Sequence, residues 1–150
     1  MEKNKMAEKT IIIGCDHAGL ELKNTIIKYL EELGYKIDDA GTYTKDSCDY
    51  PVIAQNVAKR IADGRYEKGI LVCGTGLGMS IAANKIKGIR AVAVSDTTSA
   101  KCSRSHNNTN ILCLGERIIG DYLAKDIVKI WLDTPFEGGR HSKRVEMFEN

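Results

Sequence analysis

Short runs of aliphatic residues alternate along the chain with longer stretches in which apolar side chains return every three or four positions. The aliphatic runs predict strands at 11–14, 36–38, 69–73, 90–94 and 110–114. Three of these are nearly free of polar residues, as parallel strands covered on both faces should be. Between them, Leu22, Ile26, Tyr29, Leu30 and Leu33 fall on one face of a helix that Gly34 ends. Pro51 suits the first turn of a second helix carrying Ile53, Val57 and Ile61. A third helix is expected from Gly78 and a fourth over 97–105. Leu123, Ile127, Ile130 and Trp131 mark a fifth, and residues 140–148, after a loop at 135–139, a short last one.

Regular strand–helix alternation predicts an α/β fold: one Rossmann-like, doubly wound, five-stranded parallel sheet with helices on both faces. The single domain is expected to span residues 1–150, with 1–9 a short polar extension. No internal repeat, low-complexity segment or linker interrupts it. Ligands of such sheets bind beyond the carboxyl ends of the strands, so the residues following each strand are the first candidates for chemistry.

Those positions are unusually polar. They read Gly14-Cys15-Asp16-His17, then Cys73-Gly74-Thr75-Gly76-Leu77-Gly78, then Ser103-Arg104-Ser105-His106-Asn107, then Gly115-Glu116-Arg117. The tail adds Gly138-Gly139-Arg140-His141-Ser142-Lys143-Arg144. A doubly wound sheet brings the first two groups to one edge, whereas the others need not reach the same pocket within one subunit. Glycines at 74, 76 and 78 allow backbone N–H groups to turn inward together as an anion-holding nest at a helix N-terminus. The same loop can be read as a dinucleotide-binding turn, with Asp96 where a ribose-binding acid belongs. Its G-x-G-x-G spacing differs from the G-x-G-x-x-G fingerprint, and the Walker lysine is missing.

Cys73 sits immediately before the nest, where partial positive charge favours a thiolate able to act as base or nucleophile. The competing reading is a buried core cysteine, which is the expectation for Cys113 and Cys15. Arg140 and Arg144, four apart, share a helix face suited to gripping a phosphate, or form an ordinary solvated basic face. His106 is either a site residue or a helix-capping one. Cys102 and His106 lack a third ligand on a matching segment, so no metal is expected.

Composition narrows the class. A chain of 150 residues suffices for one core burying roughly 70% of its unfolded surface. With 43% hydrophobic and 28% charged residues it falls among ordinary globular proteins. The net charge of +2 is spread evenly and aromatic residues are few, so no nucleic-acid footprint emerges. MEKNKMAEK at the start lacks the apolar centre of a signal peptide, and no run nears the ~20 apolar residues that span a bilayer. Five scattered cysteines without a C-x-x-C pair suggest neither a zinc site nor a disulfide framework. A reduced, cytoplasmic protein is expected.

Taken together, the segments resemble the B-type ribose-5-phosphate isomerase family, which includes galactose-6-phosphate isomerase subunits. The matching stretches are G-C-D-H-A-G at 14–19, D-Y-P at 49–51, C-G-T-G-L-G-M-S-I-A-A-N-K at 73–85 and G-I-R-A at 88–91. They continue with S-R-S-H-N-N-T-N at 103–110, G-E-R at 115–117 and E-G-G-R-H-S-K-R-V at 137–145. They run in order over nearly the whole chain.

The resemblance implies an aldose–ketose isomerase that needs no metal or cofactor and interconverts ribose 5-phosphate and ribulose 5-phosphate. It implies that Cys73 is the base at C2, that Gly74, Thr75, Gly76, Gly78 and nearby amides, with Met79 and Ser80, surround the enediolate, and that Thr75 handles hydroxyl protons. His106 would help open the furanose ring with Asn107 beside it. Asp16 would contact sugar hydroxyls, His17, Arg140 and Arg144 would clamp the phosphate assisted by Arg117, and Tyr50 would lie near the pocket. A second branch of the family uses a glutamate where this chain has Met79, which cannot take a proton, so the chain is similar to the cysteine branch. The resemblance further implies a homodimer or homotetramer with sites at the subunit interface, with His106 and the arginines supplied by the partner. A hexose 6-phosphate such as allose or galactose 6-phosphate is the alternative substrate, and a nucleotide-binding module the alternative class.

Overall fold

The computed structural model describes residues 10–149; the polar 1–9 segment lies outside them. Five strands, β1 (Thr10–Cys15), β2 (Lys36–Asp39), β3 (Lys68–Cys73), β4 (Ala91–Ala93) and β5 (Ile111–Gly115), form one sheet. All pair in parallel, in the order β2-β1-β3-β5-β4. Six helices connect and follow them: α1 (Leu20–Glu32), α2 (Tyr50–Ala62), α3 (Leu77–Asn84), α4 (Thr97–Ser105), α5 (Asp121–Asp133) and α6 (Arg140–Glu146).

The handedness of parallel crossovers assigns the helices to faces. The chain moves one way from β1 to β2 and from β4 to β5, and the other way from β2 to β3 and from β3 to β4. Right-handed connections therefore put α1 and α4 on one face and α2 and α3 on the other. Side chains alternate accordingly. Ile11, Ile13, Ile70, Val72, Leu112 and Leu114 pack against α1, α4 and α5, and Trp131 is fully buried there. Ile12, Leu71, Cys73, Ile111 and Cys113 point to α2 and α3, against Ala54, Val57, Met79 and Ala83. Both faces of the central strands are thus apolar, which is why their sequences show runs and not alternation.

β4 is shorter than its hydrophobic run. It is an edge strand with half-buried residues, and Asn84 closes its free side, donating to the Ala91 carbonyl at 2.9 Å and accepting from the Ala91 amide at 2.8 Å. A side-chain amide thus stands where a neighbouring strand would, and blunts the edge. The direction of winding reverses between β1 and β3, so their carboxyl ends flank the crevice where open α/β sheets take ligands.

Candidate active site

β3 ends at Cys73, and the chain then turns sharply into α3. Gly76 makes the turn in the left-handed region, at φ 81°. Crowding also selects glycine here, because a Cβ on Gly76 would stand 3.1 Å from the Leu114 backbone carbon. Gly115 lets the loop approach β5: a Cβ there would meet the Thr75 backbone at 2.6 Å. The loop is tied down further by Glu116 N–H donating to the Cys73 carbonyl at 2.9 Å and Arg117 N–H to the Gly74 carbonyl at 3.0 Å.

The Cys73 side chain is 5% exposed. Its sulfur accepts a hydrogen bond from the Gly76 amide at 3.1 Å. Thr75 is exposed, and its hydroxyl accepts from the Leu77 amide at 3.2 Å. The next amides, of Gly78 and Met79, belong to the first turn of α3 and have no partner within the helix. Ser80 donates its hydroxyl back to the Leu77 carbonyl at 2.8 Å. The Met79 side chain is fully buried in the core, so this residue can offer the loop only its backbone.

Around this loop stand groups from β1, the segment after β2, and β5. Asp16 is buried, and one carboxylate oxygen caps the turn at His17–Gly19, accepting from the Ala18 and Gly19 amides at 2.9 and 3.2 Å. His17 accepts the Cys48 N–H on Nδ1 at 3.3 Å. The Tyr50 ring lies against Gly78, and the Arg117 guanidinium against Gly74, with Nη1 3.2 Å from where a Cβ would be. The carboxylate of Glu116 accepts from the Leu22 amide at 2.7 Å and locks the start of α1 to the end of β5.

The other two cysteines of the sheet differ from Cys73. Burial pushes the Cys15 thiol up to about 11, against the opposing pull of the Lys23 charge. Cys113 is pushed up further, by burial and then by the charge of Cys73 beside it. Both are core thiols, as expected.

The remaining predicted residues lie at the opposite edge of the sheet. α4 runs back from the carboxyl end of β4 and ends at His106, whose amide caps the helix by donating to the Cys102 carbonyl at 2.8 Å. Asn107 follows on the surface, and β5 starts at Ile111. The five residues of β5 therefore separate this edge from Cys73, roughly 16 Å at the usual rise. Glu137 donates its amide to the Ser105 carbonyl at 3.1 Å and brings the tail to the same edge. Arg140 and Arg144 are exposed on α6. His141, one residue on, is buried and stacks on His106, with centroids 4.5 Å apart and planes 15° apart. Neither His141 nor Glu137 stood out in the sequence. The only hint was the H in G-G-R-H-S-K-R, next to the arginines.

Asp96, the decoy for a ribose-binding acid, caps α4 by accepting the Ser99 amide at 2.7 Å. The hydroxyl contact that a dinucleotide turn requires is therefore spent on a helix. A cavity of about 610 Å³ lined by Tyr35, Glu67, Lys68, Arg104 and Phe136 also lies at the amino edge, away from the glycine loop.

A thiol bonded to a loop amide at the winding reversal of a five-stranded parallel sheet, without a nucleotide fingerprint, places the chain among the doubly wound α/β proteins. The chain belongs to the Ribose/Galactose Isomerase family, whose model matches residues 11–148. It is 51% identical over 138 residues to ribose-5-phosphate isomerase B of Escherichia coli, covering 92% of this chain and 93% of the relative. It is 46% identical to D-erythrulose-4-phosphate isomerase of Pectobacterium atrosepticum, covering 91% of each. Among solved structures, ribose-5-phosphate isomerase B of Clostridium thermocellum superposes with a TM-score of 0.92 at 48% identity, covering 93% of this chain and 95% of that one. The Mycoplasma genitalium enzyme, solved with bound ribulose 5-phosphate, gives 0.87 at 39% identity over 92% of each chain.

Proposed function

We propose that this chain interconverts ribose 5-phosphate and ribulose 5-phosphate, with Cys73 as the base. In the open-chain aldose, the Cys73 thiolate takes the proton from C2, and negative charge grows on the carbonyl oxygen. Loop amides not already spent on Cys73 and Thr75, those of Gly78 and Met79 first, meet that charge, a contribution of about 3–4 kcal/mol per well-aimed donor in comparable oxyanion holes. Return of the proton to C1 gives the ketose, while the Thr75 hydroxyl moves a proton between the two substrate oxygens. The phosphate, remote from C1 and C2, supplies orientation through His17, Arg140 and Arg144, with Arg117 beside them. Asp16, Tyr50, Ser80 and Asn107 complete the surroundings of the sugar.

The observation that carries this reading is the Gly76 amide donating to the Cys73 sulfur at the end of β3. It sets base and oxyanion donors side by side, as removal of a proton next to a carbonyl demands. The reading also requires more than one subunit. Cys73 and the His106–Arg140–Arg144 group are at opposite edges of one sheet, so a site holding both takes them from two copies. Leu77, Ile81 and Val52, apolar and exposed beside the glycine loop, support such an interface. A homodimer, alone or paired into a tetramer, is the proposed active unit. Among the described residues no helix is long and apolar enough to cross a membrane.

The test is an isomerase assay on the wild type and Cys73→Ala, with calorimetry on both. Turnover should vanish in the variant while ribose 5-phosphate still binds. Tight NAD or ATP binding without isomerisation would overturn the proposal, and higher catalytic efficiency on allose or galactose 6-phosphate would move it to the hexose branch.

A further inference from the structure

The stacked histidines share one neighbour. Oε2 of Glu137 lies 3.8 Å from Nε2 of His141 and 3.9 Å from Nε2 of His106, so one carboxylate serves both rings. The backbone brings the residue to this edge, while its side chain stays 56% exposed. Glu137 N–H bonds to the carbonyl of Ser105, the residue immediately before His106. The guanidinium of Arg104, 7% exposed, donates to the Thr134 carbonyl at 3.2 Å and the Thr109 carbonyl at 2.6 Å, clamping both ends of the arrangement. The rings are nearly parallel, so their lone pairs run side by side and do not converge on a point between them, which suits a proton better than a metal ion. Two cationic rings stacked this closely would repel, and Arg140 and Arg144 add to the positive charge on the same helix. Glu137 is the acid that offsets it.

We propose that Glu137 is a positioning residue for ring opening, its carboxylate holding one proton on the His106–His141 pair and fixing the ring that His106 presents to the sugar. This rests on the isomerase reading above. Ribose 5-phosphate is a furanose in solution. Opening it breaks the C1–O4 bond, takes a proton from the C1 hydroxyl and puts one on O4, with no net change in proton count. A protonated imidazole next to a carboxylate supplies the proton for O4, and the neutral imidazole so formed takes up the one leaving the C1 hydroxyl. Movement of about 1 Å brings the carboxylate within hydrogen-bond range of either ring.

Deuterium at C2 makes the proposal testable. Ring opening breaks no bond to the C2 hydrogen, whereas the Cys73 step does. Glu137→Gln keeps shape and removes charge. Turnover of ribose 5-phosphate should fall about tenfold or more in kcat with little change in KM, and the isotope effect of C2-deuterated ribose 5-phosphate on kcat should shrink from its wild-type value toward one, because ring opening becomes the slow step. Glu137→Asp should restore part of the loss. A loss with the isotope effect retained or enlarged, or a loss confined to KM, would make Glu137 merely structural, and no loss at all would overturn the proposal. Inactivity of the wild type would defeat the isomerase reading instead.

Discussion

The ring of Tyr50 occupies the space that a side chain on Gly78 would need, since a Cβ there would stand 2.6 Å from two of the ring's carbons. Glycine at 78 is thus required by an aromatic neighbour from another element, and its backbone is ordinary helix. Gly78→Ala must push the ring outward. Because Tyr50 is 40% exposed, the ring has somewhere to go, and the stability cost should stay near the low end for overpacking, about 1 kcal/mol. KM for ribose 5-phosphate should rise several-fold. In a Tyr50→Ala background the same substitution should cost much less, and an unchanged penalty in that double-mutant cycle would remove Tyr50 from the explanation.

Gly115→Ala poses the opposite case. Its Cβ would meet the Thr75 Cα and carbonyl carbon, backbone atoms that cannot rotate aside. The glycine loop would have to shift with its amides. We expect a loss of about 1–3 kcal/mol in denaturant unfolding and a fall in kcat larger than that of Gly78→Ala, since the displaced groups are the proposed oxyanion donors. A variant with wild-type kcat would show that the loop's position tolerates such a shift.

The central strands and the residues after them were legible because both signals are local. Aliphatic runs at Ile11–Ile13, Ile70–Val72 and Ile111–Leu114 can only be buried strands in a chain this polar elsewhere. The glycine loop announced itself by spacing, although what its glycines make room for, Arg117, the Cys113–Leu114 backbone and Tyr50, comes from elsewhere in the chain and leaves no trace in the motif. The split of the candidate site between two sheet edges follows from strand order, which no local pattern encodes. His141 and Glu137 stayed hidden for the same reason: a stack between residues 35 positions apart has no periodicity.

Lys23 is a charge that sequence alone would assign to solvent, yet it is fully buried, donating to Asp39 and to the Thr42 carbonyl, each at 2.6 Å. It ties the segment after β2 to α1, while Cys15 and residues 41–42 exchange backbone bonds at the end of β1. Lys23→Met retains much of the volume but leaves both acceptors without their donor. Asp39 is about one-third exposed and can recover water, so the cost should be about 2–4 kcal/mol, below that of orphaning a fully buried charge. Urea unfolding measures it. A change under about 0.5 kcal/mol, the range of ordinary surface substitutions, would contradict this account.

The folded protein holds the His141 imidazole below its usual range, first through burial, then through the charges of His106 and Arg140, with Glu137 opposing and Arg144 adding to them. The sign of the effect on stability follows. In the unfolded chain this ring gains its proton near pH 6.5, the usual histidine value, while in the folded protein it resists until a lower pH. Between those two points the unfolded state binds more protons, so the contribution is complete above about pH 6.5 and drains away as pH falls toward the folded value. Wild type should therefore lose stability more steeply than His141→Gln on acidification through that window, measured by urea unfolding at fixed ionic strength. Glu137→Gln should steepen the wild-type slope, because it removes the one neighbour that favours the protonated ring. Parallel slopes in all three proteins would mean that His141 takes up its proton as easily folded as unfolded, and that the stack with His106 does not exclude water as its burial requires.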